Sequence, residues 1–231
     1  MSKGDPPSRP DQAGHRERLR DRFMKSGSDA VSDYELLELL LFPVIQRGDV
    51  KPSAKALLRR FDSFAGVLAA SPAELQKIKG IGPQAAHALK VAQAAAIRMA
   101  REKVYKRPVL SSWNAVLDYV RVSMGFENIE QFRVLFLDKK NALLADEVQQ
   151  KGTIDHTPLY PREVIRRSLE IGASAIILVH NHPSGDPTPS PADIDMTREV
   201  AEAGAKLGVT VHDHIIVART GHVSLKSKGL L

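Results

Sequence analysis

In the run AIILVHNHPSGDPTPSPAD, residues 175–193, five apolar residues lead straight into His180 and His182. On an extended strand, residues two apart project to one face, so the two imidazoles converge. A turn rich in Pro and Gly follows. Asp193 then falls in the first turn of the next helix, from where its carboxylate can return to the same point. Two imidazole nitrogens and one carboxylate oxygen leave a fourth tetrahedral position open, which is the form of a catalytic rather than a structural zinc site. Neutral imidazole suits zinc, and a single carboxylate leaves the ion acidic enough to bring a coordinated water to a pKa of about 7. Hydrolysis is the natural use of such a centre. The chain contains no cysteine, which excludes disulfides, thiolate nucleophiles, iron–sulfur clusters and cysteine-ligated zinc. Any metal must sit on His, Asp or Glu.

Each piece also has a plainer reading. Ser190, Pro191 and Asp193 spell a capping box with proline at the first helical position, so Asp193 can serve simply as a cap. His180 and His182 can be polar residues at a strand end. A second pair of the same spacing, His212 and His214, has no Pro-Gly loop and carboxylate behind it, and reads as structural or as support for the first pair. Asp186, four residues after His182 in a tight turn, is an alternative ligand of poorer reach.

The elements that must position these groups follow from periodicity. Trp113–Val122 reads as a helix, Gln131–Leu137 and Leu143–Gly152 as strands around an Asp-Lys-Lys-Asn turn, and Pro161–Ile171 as a helix. Ser174–His180 is a buried strand, Ser190–Leu207 a helix and Val209–Val217 a strand. Strands alternating with helices predict an α/β domain over residues 108–231. Residues 15–107 read instead as an all-α domain, with helices at His15–Phe23, Tyr34–Phe42, Ser53–Phe61, Phe64–Ala70 and Pro72–Lys77 and a long alanine-rich helix from Pro83 to Arg101. The polar, proline-bearing residues 1–14 read as a flexible tail, and the basic stretch Arg101–Pro108 as the boundary between domains.

Length and composition agree with this division. With 231 residues, 43 % hydrophobic and 26 % charged, the chain can build one or two cores and is not disordered, collagen-like or a coiled coil. The longest apolar runs, Leu36–Val44 and Ala173–Val179, fall short of the roughly 18–20 residues that span a bilayer. The polar start lacks the apolar segment of a secretory signal, so the cytosol is the expected compartment. Residues 1–107 hold 20 Lys and Arg against 12 Asp and Glu, whereas residues 108–231 hold 13 against 15. A basic N-terminal half is suited to nucleic-acid phosphate.

The segment KIKGIGPQAAHAL resembles the helix-hairpin-helix motif of DNA-binding proteins. There, glycines let the backbone approach a phosphate closely, and the following helix adds N–H donors and its positive dipole end. Gly80, Ile81 and Gly82 form the turn, Ile78 and Ala86 match the flanking positions, and Lys77 and Lys79 add charge. The plainer reading is that the glycines only let two packed helices reverse direction.

His180-x-His182-Pro183, six residues, Ser190, two residues, Asp193 is the spacing of the JAB/MPN, or JAMM, metalloprotease motif. The segments LLFPVIQRGDVKPSAKALLRRF, FRVLFLDKKN, HTPLYPREVIRRSLEIGASAIILVHNHPSGDPTPSPADI and DHIIVA resemble the bacterial RadC-type branch of that family, covering nearly everything from His15 onward. The resemblance implies a mixed sheet flanked by helices and a zinc ion on His180, His182 and Asp193. It further implies that the Ser190 hydroxyl stabilises the oxyanion, and that an upstream Glu acts as general base towards a protein or peptide substrate. Glu130, directly ahead of QFRVLFLD, is the expected base, with Glu147 as runner-up and Glu127 and Glu163 behind. Asn181 stands where deubiquitinating members commonly have Ser, and the loop Pro183–Pro187 is of bacterial type, which argues against ubiquitin as substrate. The alternatives are a non-catalytic DNA-binding or repair-associated module with a structural or vestigial metal site, and a metal centre that attacks nucleic acid.

Overall fold

The computed structural model of the protein describes residues 10–105, 108–151 and 159–231. The chain divides into two compact units, residues 1–95 and 96–231. In the first, α1 (Pro10–Ser26), α2 (Asp33–Leu41), α3 (Lys51–Phe61), α4 (Phe64–Ala69), α5 (Pro72–Leu75) and the first turns of α6 (Pro83–Tyr105) follow one another. Leu37, Leu41, Ala54, Leu57, Val67, Leu75 and Leu89 make its buried core. Their helical spacing is what the sequence shows. Side-chain caps at Ser63 and Ser71 start two of the helices, and the Glu35 carboxylate, accepting from the Ser32 N–H and hydroxyl, starts a third. Helix α1 begins at Pro10, inside the stretch expected to be irregular up to Gly14, because a proline in a first turn forfeits no helical hydrogen bond. Residues 1–9 of that stretch lie outside the described residues. Helix α6 continues past Arg101 to Tyr105. Its basic end consists of good helix formers and buries Val104 completely. Lys106 and Arg107 of the expected boundary lie outside the described residues.

The second unit is a five-stranded mixed sheet with helices on both faces, as expected. Its elements are α7 (Trp113–Met124), β1 (Gln131–Leu137), β2 (Leu143–Lys151), α8 (Pro161–Ile171), β3 (Ala175–Asn181), α9 (Pro191–Ala205), β4 (Thr210–Ala218) and β5 (Gly221–Ser224). The spatial order is β2-β1-β3-β4-β5, with β3 and β4 parallel and the other neighbours antiparallel. Gly152, the expected end of β2, and the His156-Thr157-Pro158 part of the family-like HTPLY segment lie outside the described residues. Among the described residues no helix is long and apolar enough to cross a membrane.

Alternation along the central strand assigns its residues to two cores. Ala175, Ile177 and Val179 pack with Val116, Val120 and Met124 of α7. Ile176 and Leu178 pack with Val164 and Ile165 of α8 and Val200 of α9. Every residue of β3 is buried, and full burial of each aliphatic side chain contributes about 1.5–3 kcal/mol. The same period puts His180 on the α8/α9 face and Asn181 on the α7 face. Helix α9 is drawn in at its C-terminal end by Gly204, where a Cβ would stand 2.5 Å from the Val209 carbonyl oxygen. That close approach turns the chain directly into β4.

Candidate metal centre

His180, the penultimate residue of β3, is 1 % exposed. It stacks on Phe132 of β1, its ladder partner, with the rings 12° apart. His182 follows the strand, and its main-chain N–H donates to the Val217 carbonyl, which keeps it in line with β4. The His180 and His182 Nε2 atoms are 2.9 Å apart. Asp193, in the first turn of α9, brings Oδ1 to 3.3 Å from His180 Nε2 and Oδ2 to 3.6 Å from His182 Nε2. Ligand atoms from these three residues lie within 4.8 Å of one another, and among the described residues no other such cluster of His, Cys, Asp or Glu occurs.

Asp193 is both cap and candidate ligand. The Ser190 N–H and hydroxyl donate to Oδ2, each at 2.7 Å, and Ser190 Oγ accepts the Asp193 N–H, completing the capping box. Oδ1 is left to His180, 3.3 Å away. Burial works against the Asp193 charge, but His182, His180 and the Ser190 donors outweigh it and hold the carboxyl well below its ordinary range. Asp193 raises the pKa of His182 against the effect of burial, with smaller help from the Asp186 carbonyl and the charge of Glu130. Burial pushes His180 down to about 4.

The donor set fits a divalent metal. His182 Nδ1 is 2.9 Å from the Asp186 carbonyl, which can only accept, so Nδ1 carries the hydrogen and neutral His182 presents a bare Nε2. Neutral His180 meets His182 with Nε2, beside a carboxylate. Two ring nitrogens and an anionic oxygen converging at these distances match the ligand types of a divalent metal.

Of the carboxylates considered as base, Glu130 precedes β1 in line with His182 across the ladder, two residues before the Phe132–His180 pair. It is half-buried. Glu147 is engaged elsewhere: both of its oxygens accept from Arg167, at 2.6 and 2.9 Å. Glu163 pairs with Arg166 on the exposed side of α8. Asp186 turns its carboxylate to the Thr188 N–H and hydroxyl.

Asn181 was singled out only as a departure from the family pattern, and its side chain proves to be a clamp. It is 1 % exposed. Its amide oxygen accepts the Gln131 N–H at 2.8 Å, and its amide nitrogen donates to the carbonyls of Glu127 and Ile129 at 3.3 and 3.2 Å. These bonds hold the segment that carries Glu130. Asn181→Leu keeps the volume and removes all of them, so we expect a loss of about 1–3 kcal/mol for the groups left unsatisfied, read from the denaturant midpoint. An unchanged midpoint would mean that the segment is held by something else.

The pair His212 and His214 does not converge as the first pair does. A register irregularity in β4 pairs Ile176 with Val211 but Ile177 with Asp213. His212 Nε2 lies 2.6 Å from Asn141 Oδ1, whereas His214 Nε2 lies 2.7 Å from His180 Nδ1. His214 is fully buried and meets Thr197 Oγ1 of α9 at 2.6 Å through Nδ1. Thr197 was not anticipated, although its place four residues after Asp193 puts both on one helix face.

In the helical unit, Lys77 is ion-paired with Glu74. Ile81 belongs to the core, and its N–H is taken by the Ile78 carbonyl. Gly80 has φ +88°, and a Cβ there would meet Ser53 Oγ at 2.5 Å; that hydroxyl donates to the Lys79 carbonyl. At Gly82 a Cβ would meet nothing within 4 Å. The turn therefore explains Gly80 and leaves Gly82 without a packing reason.

Comparison with known families gives two matches. The model described as RadC-like JAB domain matches residues 110–230, and that described as UPF0758 N-terminal matches residues 11–87.

Proposed function

The chain belongs to the RadC-like JAB domain family, and from that premise we propose that it is a cytosolic zinc-dependent hydrolase of the metallopeptidase or isopeptidase kind. One observation carries this reading: ring nitrogens of His180 and His182 and the Asp193 carboxylate face one another, with Glu130 in line with His182 across the ladder. His180, His182 and Asp193 would hold the zinc. When bound, zinc supplies Lewis acidity that polarises a carbonyl and brings the pKa of water towards neutrality. Glu130 accepts the proton of the attacking water and returns it to the leaving amine. The Ser190 hydroxyl turns from Asp193 Oδ2 to the substrate oxygen as negative charge develops there, while the Ser190 N–H keeps the Asp193 cap. Incubation of the full chain with a library of peptides and isopeptide-linked lysines should give cleavage that a chelator stops and zinc restores. One equivalent of bound zinc without turnover on any member would instead favour a non-catalytic module.

A role for the helical unit on DNA phosphate is favoured by Gly82, whose missing side chain opens the backbone at the start of α6. Gly82→Val should melt close to wild type and bind duplex DNA more weakly, because its side chain keeps the phosphate from the backbone. Unchanged affinity would locate the contact elsewhere. Gly80→Val is a poor probe, since it collides with Ser53 and strains a left-handed residue.

A further inference from the structure

The chain of hydrogen bonds behind His180 has a direction, and it is set at the end farthest from the metal ligands' shared point. The Asp193 carbonyl can only accept. Thr197 Oγ1 lies 2.5 Å from it and has a single hydrogen to give. Donation from a threonine to the carbonyl one helical turn earlier is a common habit of helices. With its hydrogen given to Asp193, Thr197 Oγ1 can only accept from its other neighbour, His214 Nδ1, at 2.6 Å. His214 Nδ1 therefore carries a hydrogen. A neutral imidazole carries one hydrogen, so with it on Nδ1 the fully buried His214 presents a bare Nε2, which accepts from His180 Nδ1 at 2.7 Å. His180 then presents a bare Nε2 towards Asp193 and His182. The opposite sense would hand every hydrogen one place back, leave two oxygens 2.5 Å apart with none between them, and put a hydrogen on His180 Nε2.

We propose that Thr197 and His214 are positioning residues that lock His180 in the tautomer whose Nε2 is free to bind a metal. This rests on the metal reading above. Thr197 touches neither ligand nitrogen, yet it decides where the His180 hydrogen sits. Phe132 completes the arrangement by stacking on His180 and lying against His214, with ring centroids 5.8 and 5.6 Å away. The rings cannot readily turn to make other partners.

The test uses the full chain and three forms: wild type, Thr197→Val, which keeps the branched shape without the hydroxyl, and Thr197→Ser, which restores it. Long-range proton–nitrogen correlation spectra of the metal-free protein report which ring nitrogen of His180 bears hydrogen. Wild type and Thr197→Ser should show it on Nδ1, and Thr197→Val should show it partly or wholly on Nε2. Zinc affinity, measured by competition with a chromophoric chelator, should fall about 10-fold or more in Thr197→Val, the scale seen when the partner of a metal-bound histidine is lost, and recover in Thr197→Ser. An unshifted His180 tautomer in Thr197→Val would overturn the proposal. So would hydrogen on Nε2 in wild type, which decides the matter even if the valine variant does not fold. Failure of wild type to bind zinc would instead overturn the metal reading, while the tautomer spectra still score the relay.

Discussion

His182→Ala is expected to weaken zinc binding by more than about 100-fold, beyond the 10–100-fold typical of residues that only orient a ligand. Its Nε2 lies 2.9 Å from that of His180 and 3.6 Å from Asp193 Oδ2. Removing it leaves one imidazole and one carboxylate. The fold should survive. The only other side-chain bond that His182 makes among those described is to the Asp186 carbonyl on the exposed loop, and a bond of this kind contributes about 0.5–1.5 kcal/mol. Chelator competition reads the affinity and a melting curve the stability. Zinc affinity equal to wild type would remove His182 from the site.

Glu130→Gln should separate binding from chemistry. Glutamine keeps the size and removes the basic oxygen, so zinc should bind as in wild type while metal-dependent cleavage falls about 10²–10⁴-fold, the usual contribution of a general base. Glu147→Gln is the control. Its carboxylate pairs with Arg167 on both oxygens, so that variant should keep most of the activity. The reverse pattern, with Glu147→Gln inactive and Glu130→Gln active, would transfer the base to Glu147.

The parts of this structure that were legible in the sequence are those with a strong period or a fixed spacing. The run Ala175–Val179 could only be a buried strand, and a period of two then put His180 and His182 on one face. Ser190, Pro191 and Asp193 marked the start of α9 by their capping chemistry alone. Capping and metal ligation looked like rival roles for Asp193, yet a carboxylate has two oxygens: Oδ2 takes the cap while lying 3.6 Å from His182 Nε2, and Oδ1 faces His180.

Other features depend on contacts between distant residues and leave little local trace. The irregularity at His212 adds one residue to β4 relative to β3, which changes the face each later side chain takes. That one residue sends His214 to His180 and His212 to Asn141, and no local pattern announces it. Strand β5 was missed because Gly221–Ser224 is short and half polar; it exists through pairing with β4. Asn181 looked like a family variation, and its three bonds reach residues about fifty positions earlier. In α6 the opposite happened. A basic, weakly apolar stretch read as a boundary, but helix propensity and the buried Val104 carry the helix to Tyr105.

X-ray absorption at the zinc edge of the metal-loaded full chain reads the ligands of the centre. It should show one equivalent of zinc with two imidazoles and oxygen donors at about 2.0–2.2 Å, and loss of one imidazole's scattering in His182→Ala. No stoichiometric zinc, or an identical imidazole signal after that substitution, would rule out a zinc centre on His180, His182 and Asp193.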